Sequence, residues 1–212
     1  MEKPLETCRP SRRTVLAASI LSPLLLASCS KPSASRTESW TGPVTVEHAF
    51  GQTTIDSSPQ TIATLGRTSA DICAALGVSP AAMPFSEQSP WLTLQLKDLA
   101  ASTPQLYSDN PEMPLDALTE LKPDVILAVN SDISRLEYVQ LSRIAPVVAF
   151  PQRPLDTPWR DSVMLIAEAL GIESKGQDLL KSVEDDIAES LAPYSDLTGT
   201  SFLVGDISEA IG

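Results

Sequence analysis

From Thr61 to Phe150 the chain repeats one unit: a short apolar run, a break, then a segment with helical spacing. The clearest run is Val125-Ile126-Leu127-Ala128-Val129, continuous, apolar and partly β-branched. A half-exposed strand would alternate polar and apolar residues, so this run reads as a strand buried on both faces. Ile62–Leu65, Ala81–Met83, Gln105–Tyr107 and Val147–Phe150 read as companion strands. Helices are expected over Ser69–Leu76, Trp91–Leu99, Pro114–Leu121 and Ser134–Ile144, the last with Leu136, Val139, Leu141 and Ile144 near helical spacing. Gly77 is a C-terminal cap and Pro114 sits in a first turn. Strands alternating with helices of this length define βα units, hence an α/β class built on a parallel sheet covered by helices.

Two flanks differ from this repeat. Val44–His48 alternates and Thr53-Thr54-Ile55 follows Gly51-Gln52, which predicts an opening hairpin turning at Gly51-Gln52. After Pro158, Trp159–Leu170 is an amphipathic helix closed by Gly171. Ile172–Leu191 is a longer helix, with Leu179, Leu180, Val183, Ile187 and Leu191 on one stripe and acids opposite. Ser201-Phe202-Leu203-Val204 then reads as a fresh strand, and one new strand without following helices implies a second lobe of which only the beginning is present.

Composition removes several functions. Fifteen Lys and Arg against 27 Asp and Glu give a net charge of −12, wrong for a binder that must displace counterions from nucleic-acid phosphates. One His and three scattered Cys cannot supply the four clustered N or S ligands of a structural zinc site. No Gly-x-Gly-x-x-Gly, Walker loop or Gly-x-Ser-x-Gly is present. A hydrolase would need a base beside a nucleophile, and the only His, His48, lies in the opening hairpin, where it reads as structural. The chain reads as a non-enzyme without a metal site of its own or a cofactor.

The N-terminus is an address. Arg9, Arg12 and Arg13 precede an apolar run from Val15 to Ala27, too short to cross a hydrocarbon core of about 30 Å, so it reads as a signal peptide. Ser11-Arg12-Arg13-Thr14-Val15-Leu16 resembles a twin-arginine export signal, carried by Arg12 and Arg13. Leu26-Ala27-Ser28-Cys29 resembles a bacterial lipobox, which implies cleavage after residue 28 and lipidation at Cys29. Residues 1–28 are then the signal peptide and 29–43 a lipidated tether in which Trp40 is expected to be exposed. The implied location is the cell membrane, lipid-anchored on its extracytoplasmic face. Cys73, in the run Ala70–Leu76, reads as a small buried hydrophobe.

Several phrases together are similar to one family. Val44–Gly51, Ala117-Leu118-Thr119-Glu120-Leu121-Lys122-Pro123-Asp124-Val125-Ile126-Leu127-Ala128, Leu141–Val148, Trp159-Arg160 and Ala167–Gly171 resemble iron-siderophore substrate-binding lipoproteins of ABC importers. The resemblance implies two α/β lobes joined by one long helix, with the ligand in the cleft between them. Residues 44–157 would form the first lobe, 158–195 the amphipathic and linking helices, and 196–212 the beginning of an incomplete second lobe. It implies a ferric siderophore as ligand, ABC permease subunits as partners, the membrane reached through the N-terminal lipid, and a monomer. A haem or cobalamin binder shares the fold, and a truncated remnant without ligand binding is the other alternative.

Ligands of open parallel sheets bind at the carboxyl ends of the strands. Those ends are Arg67 after Gly66, Phe85-Ser86 after Met83, Asn130-Ser131 after Val129 and Gln152-Arg153 after Phe150, with Trp91 and Trp159 opening the helices that follow two of the loops; Arg67, Trp91, Asn130, Ser131, Arg153 and Trp159 are the expected lining. Arg supplies charge and fixed donors, and Trp supplies stacking area, which suits a bulky polar-to-anionic chelate. The resemblance further implies an acid pairing with Arg on the permease. The matching position is Asp116, with Glu112 as its neighbour if the register shifts.

Overall fold

The computed structural model describes residues 40–66, 68–99, 103–108, 113–197 and 199–201. The export signal, Cys29, Arg67, Glu112 and, of the strand expected at Ser201–Val204, all but Ser201 lie outside the described residues. Among the described residues no helix is long and apolar enough to cross a membrane.

The chain opens with an antiparallel hairpin, β1 (Val44–His48) and β2 (Gly51–Ile55). Its turn falls at Ala49-Phe50, two residues earlier than the sequence suggests. Gly51, at φ 129°, is already the first strand residue, paired with His48. Next come β3 (Ile62–Thr64), α1 (Ser69–Ala75), β4 (Ala82–Pro84), α2 (Pro90–Asp98), β5 (Gln105–Tyr107), α3 (Leu115–Leu121), β6 (Val125–Ala128), α4 (Arg135–Leu141) and β7 (Val147–Ala149). Two helices close the described chain, α5 (Trp159–Ala169) and α6 (Glu173–Leu191).

The five later strands form one parallel sheet in the order β5-β4-β3-β6-β7. As the uninterrupted apolar run requires, β6 feeds both faces. Val125, Leu127 and Val129 join a core that includes Cys73, Val148 and Ile166. Ile126 and Ala128 join the opposite core with Leu118, Leu141 and Phe150. All five residues of the run are fully buried, so helices cover the sheet on both sides.

Helix ends follow local chemistry. Gly77 and Gly171 take φ 80° and 65° just beyond α1 and α5, where an L side chain would be strained. Ser134 and Glu137 form a reciprocal capping box at the start of α4. That helix is shorter than its apolar spacing suggests. It stops at Leu141, and Leu136 and Val139 face solvent at 69% and 42% exposure. The stripe on α6 likewise fades. Leu179, Leu180 and Val183 are half-buried, whereas Ile187 and Leu191 are exposed. Gly176 lets α6 approach α5 closely, since a Cβ there would stand 2.7 Å from that of Ala167.

Trp40 departs from expectation altogether. Its indole is partly buried against the Val125/Leu127/Ile166 core and lies over Gly171, where an added Cβ would come within 2.6 Å of the ring. Apolar area outweighs the tether-like composition around it, so this residue belongs to the lobe. Since α5 runs back from the sheet's carboxyl edge, Gly171 and Trp40 mark the base, the amino edge.

Candidate functional site

All five strands point the same way, so their carboxyl ends share one edge. The chain builds β3, β4 and β5 in one direction, then returns to place β6 and β7 on the other side of β3. Loops after β3 and β6 therefore diverge, and a crevice opens between them at the switch in strand order. The crevice is tight at its root. Gly66, at φ 90°, lies so close to the next loop that a Cβ would be 2.6 Å from the Asn130 carbonyl oxygen and 2.7 Å from the Ser131 Cβ.

The loops after β6 and β7 are knitted together. Ser131 donates its hydroxyl to the Ala128 carbonyl at 2.9 Å, Thr157 donates to the Val129 carbonyl at 2.9 Å, and the Leu155 amide donates to the Ser131 carbonyl at 3.1 Å. Leu155 adopts φ 55° to do so, an uncommon conformation for a branched residue. On the other side the Tyr107 hydroxyl donates to the Thr64 carbonyl across β4. The hairpin tip also reaches this edge, where the Ala49 amide donates to the Phe150 carbonyl at 2.9 Å. Between tip and loop lies an open cleft of about 590 Å³ lined by Glu47, His48, Gly51, Gln52, Pro151 and Gln152.

His48 is held in the hairpin. Its Nε2 pairs with the Thr53 hydroxyl at 2.9 Å, and its Nδ1 accepts from the Phe50 amide at 3.2 Å. Tyr138 lies beside it with the rings tilted by 60°, and burial pushes the His48 pKa below the usual imidazole value. This is the structural histidine anticipated from the pattern. Cys73 is fully buried in the core. Among the described residues no group of three or more His, Cys, Asp or Glu could hold a metal ion.

The expected site residues divide into three kinds. Trp91 and Trp159 stand at the first turns of α2 and α5, 46% and 38% exposed, on the edge that carries the crevice. Asn130 sits in the crevice wall with its Oδ1 enclosed and without a hydrogen-bond partner, an arrangement that costs about 1–3 kcal/mol. Ser131 is 1% exposed and its hydroxyl is committed to backbone, so it shapes the loop. Arg153, expected to offer a free charge, is ion-paired with Asp156 at 2.5 Å. Asp116 is exposed in the first turn of α3 on the same edge.

Sequence reasoning missed Leu155, Thr157 and the hairpin tip, because nothing local announces where a loop folds back. Phe85, placed at a strand's carboxyl end by the sequence though not among the expected lining, is 65% exposed directly after β4. Arg160 is also part of the edge. Its guanidinium lies 4.4 Å from the Trp159 ring centroid and binds Glu184 at 2.6 Å.

Among the described residues, the sheet mouth presents solvent-facing aromatics on one edge. The family model described as "Periplasmic binding protein" matches residues 62–206, and the chain belongs to that family. It is 27% identical over 203 residues to the putative ABC transporter substrate-binding lipoprotein YhfQ of Bacillus subtilis, covering 93% of this chain and 60% of that protein. It is 27% identical over 162 residues to the probable siderophore-binding lipoprotein YfiY of the same organism, covering 76% and 48%. Among solved structures it resembles Streptococcus pneumoniae PiaA in complex with ferrichrome, with 34% identity, a TM-score of 0.67, and 74% and 54% of the two chains covered. The chain thus spans about half to three-fifths of the length of these relatives.

Proposed function

We propose that the chain is the first lobe of a substrate-binding lipoprotein that captures a ferric siderophore and hands it to an ABC permease. The observation that carries this is the switch-point crevice flanked by the exposed rings of Phe85, Trp91 and Trp159. A ferric siderophore is bulky, and flat aromatic faces hold such a surface without demanding one fixed geometry. The probable siderophore-binding role of YfiY and the ferrichrome complex of PiaA support this reading. Capture is noncovalent, and the occupied state is what the permease recognises. Asp116 faces solvent on the mouth edge, where a transporter could reach it, with Glu112 four residues before it in sequence. Cys29 carries the lipid, and Arg12 and Arg13 direct export.

The test is a tryptophan-quenching titration of the full chain with ferric siderophores, haem and cobalamin. Saturable micromolar quenching by a ferric siderophore, and none by haem or cobalamin, is expected. A folded chain that ignores every ferric siderophore would overturn the assignment. For the anchor, Cys29→Ala should release the protein from the membrane fraction, as detected by blotting.

A further inference from the structure

His48 is the only histidine of the chain and sits where the hairpin meets the mouth. It is 7% exposed, and both ring nitrogens are engaged. The Phe50 amide donates to Nδ1 at 3.2 Å, so Nδ1 must offer a lone pair. The Thr53 hydroxyl gives its own proton to the Val147 carbonyl at 2.6 Å, and is left to accept from the Nε2 N–H at 2.9 Å. These contacts select one neutral tautomer. A second proton at Nδ1 would point at the Phe50 N–H, donor against donor.

The surroundings do not compensate a cation. On α4, Tyr138 faces the ring at 5.2 Å between centroids, and Arg135 lies 5.3 Å from the Phe50 centroid. Glu137 of the same helix commits a carboxylate oxygen to the Ser134 amide at 2.7 Å. β2 and β7 meet the ring and its hydroxyl partner with Thr53 and the Val147 carbonyl, neither of them charged. Glu47 is exposed on the other face of β1, as strand alternation requires. Phe50, whose amide the imidazole holds, is also what fastens the tip. Its ring lies 4.8 Å from that of Tyr138 and 5.3 Å from that of Phe150, and the adjoining Ala49 amide donates to the Phe150 carbonyl at 2.9 Å.

We propose that His48 is a proton-operated catch: uptake of a second proton at Nδ1 frees the hairpin tip from the end of β7 and opens that wall of the mouth cleft. Burial already pushes the ring below the ordinary imidazole pKa. In the released tip that pKa returns to about 6.5, so release becomes easier by up to about tenfold for each pH unit below it. At pH 7.5 the catch is shut. In acid the cleft of about 590 Å³ loses its hairpin side, Glu47, His48, Gly51 and Gln52, and keeps Pro151 and Gln152. The inference stands whatever ligand the mouth takes.

The experiment is amide hydrogen exchange of the full chain, read residue by residue by NMR from pH 7.5 to pH 5 and corrected for the intrinsic pH dependence of exchange. The Ala49 and Phe50 amides should lose protection together, by about tenfold or more, while the amides of β6 inside the sheet keep theirs. His48→Gln, which takes up no proton in this range, should abolish that pH dependence. Loss of protection at Phe50 alone means a broken side-chain bond without release, and overturns the proposal. Constant protection at both amides down to pH 5 overturns it too, as does a loss shared equally by β6, which is global unfolding. Each of these outcomes is read on the unsubstituted chain, so the result holds even if His48→Gln does not fold.

Discussion

The two edges of the sheet are built on opposite plans. At the base, backbone amides are matched and apolar rings are covered, although the Trp40 indole N–H is enclosed without a partner. One carboxylate oxygen of Asp124 accepts the amides of Gln60 at 2.9 Å and Thr61 at 2.8 Å, the Asp124 amide returns a bond to the Thr61 carbonyl, and Trp40 seals Gly171. At the mouth, Phe85, Trp91, Leu155 and Trp159 stand in solvent, Leu155 is strained, and the Asn130 Oδ1 has no partner. The base covers its rings and ties its strands together, whereas the mouth, the edge proposed to bind, leaves apolar area in solvent.

Substitutions that separate the two edges would sharpen this contrast. Ile166→Ala, at a fully buried position of the core above the base, should cost about 2–5 kcal/mol in chemical denaturation. Gly171→Ala should cost about 2–4 kcal/mol, since it adds a Cβ under the Trp40 ring at φ 65°. Trp91→Ala should do the reverse. Exposed as it is, its loss should move stability by less than about 0.5 kcal/mol while weakening chelate binding about tenfold, measured by dialysis beside the melting curve. If Trp91→Ala unfolds the chain, or Gly171→Ala leaves it as stable as before, the division into edges is wrong.

Smaller effects come from two ionisable groups with opposite signs, His48 buried and Asp71 half-buried. Burial lowers the His48 pKa below 6.5, so below about pH 6.5 the unfolded chain takes up a proton that the folded one resists. Stability should fall as pH drops from 7 towards 5, and His48→Gln should flatten that slope. Asp71, with its Oδ1 enclosed and unpartnered, has its pKa raised by burial. Its ionisation opposes folding as pH rises above about 4. Asp71→Asn should therefore raise the melting temperature slightly at pH 7 and less at pH 4.

Much of the fold was legible because its elements are punctuated. Gln105–Tyr107 is a strand at the residues read, and the helices ending before Gly77 and Gly171 stop where a glycine permits positive φ. The both-faces burial of β6 follows from five apolar residues in succession. What could not be read was set by partners distant in sequence. The crevice wall needs Gly66 against Asn130, a pairing created by strand order. Arg153 looks like a ligand-seeking cation until the loop brings Asp156 beside it, and Trp40 looks like tether until Gly171 offers it a seat. The strand ends supplied the mouth's general position, but not which of its charges are paired.

The seating of Trp40 also makes the molecule self-reporting. The chain has three tryptophans, and the structure assigns them different surroundings. Trp40 is wedged into apolar packing at the floor, so its emission should be blue-shifted and shielded from iodide. Trp91 and Trp159 face water at the opposite edge, with red-shifted, collisionally quenchable emission. One intrinsic fluorophore would thus monitor integrity, and the two at the proposed binding edge would monitor occupancy. A single emission spectrum, resolved by quencher access, distinguishes a chain that has lost its ligand from one that has lost its fold.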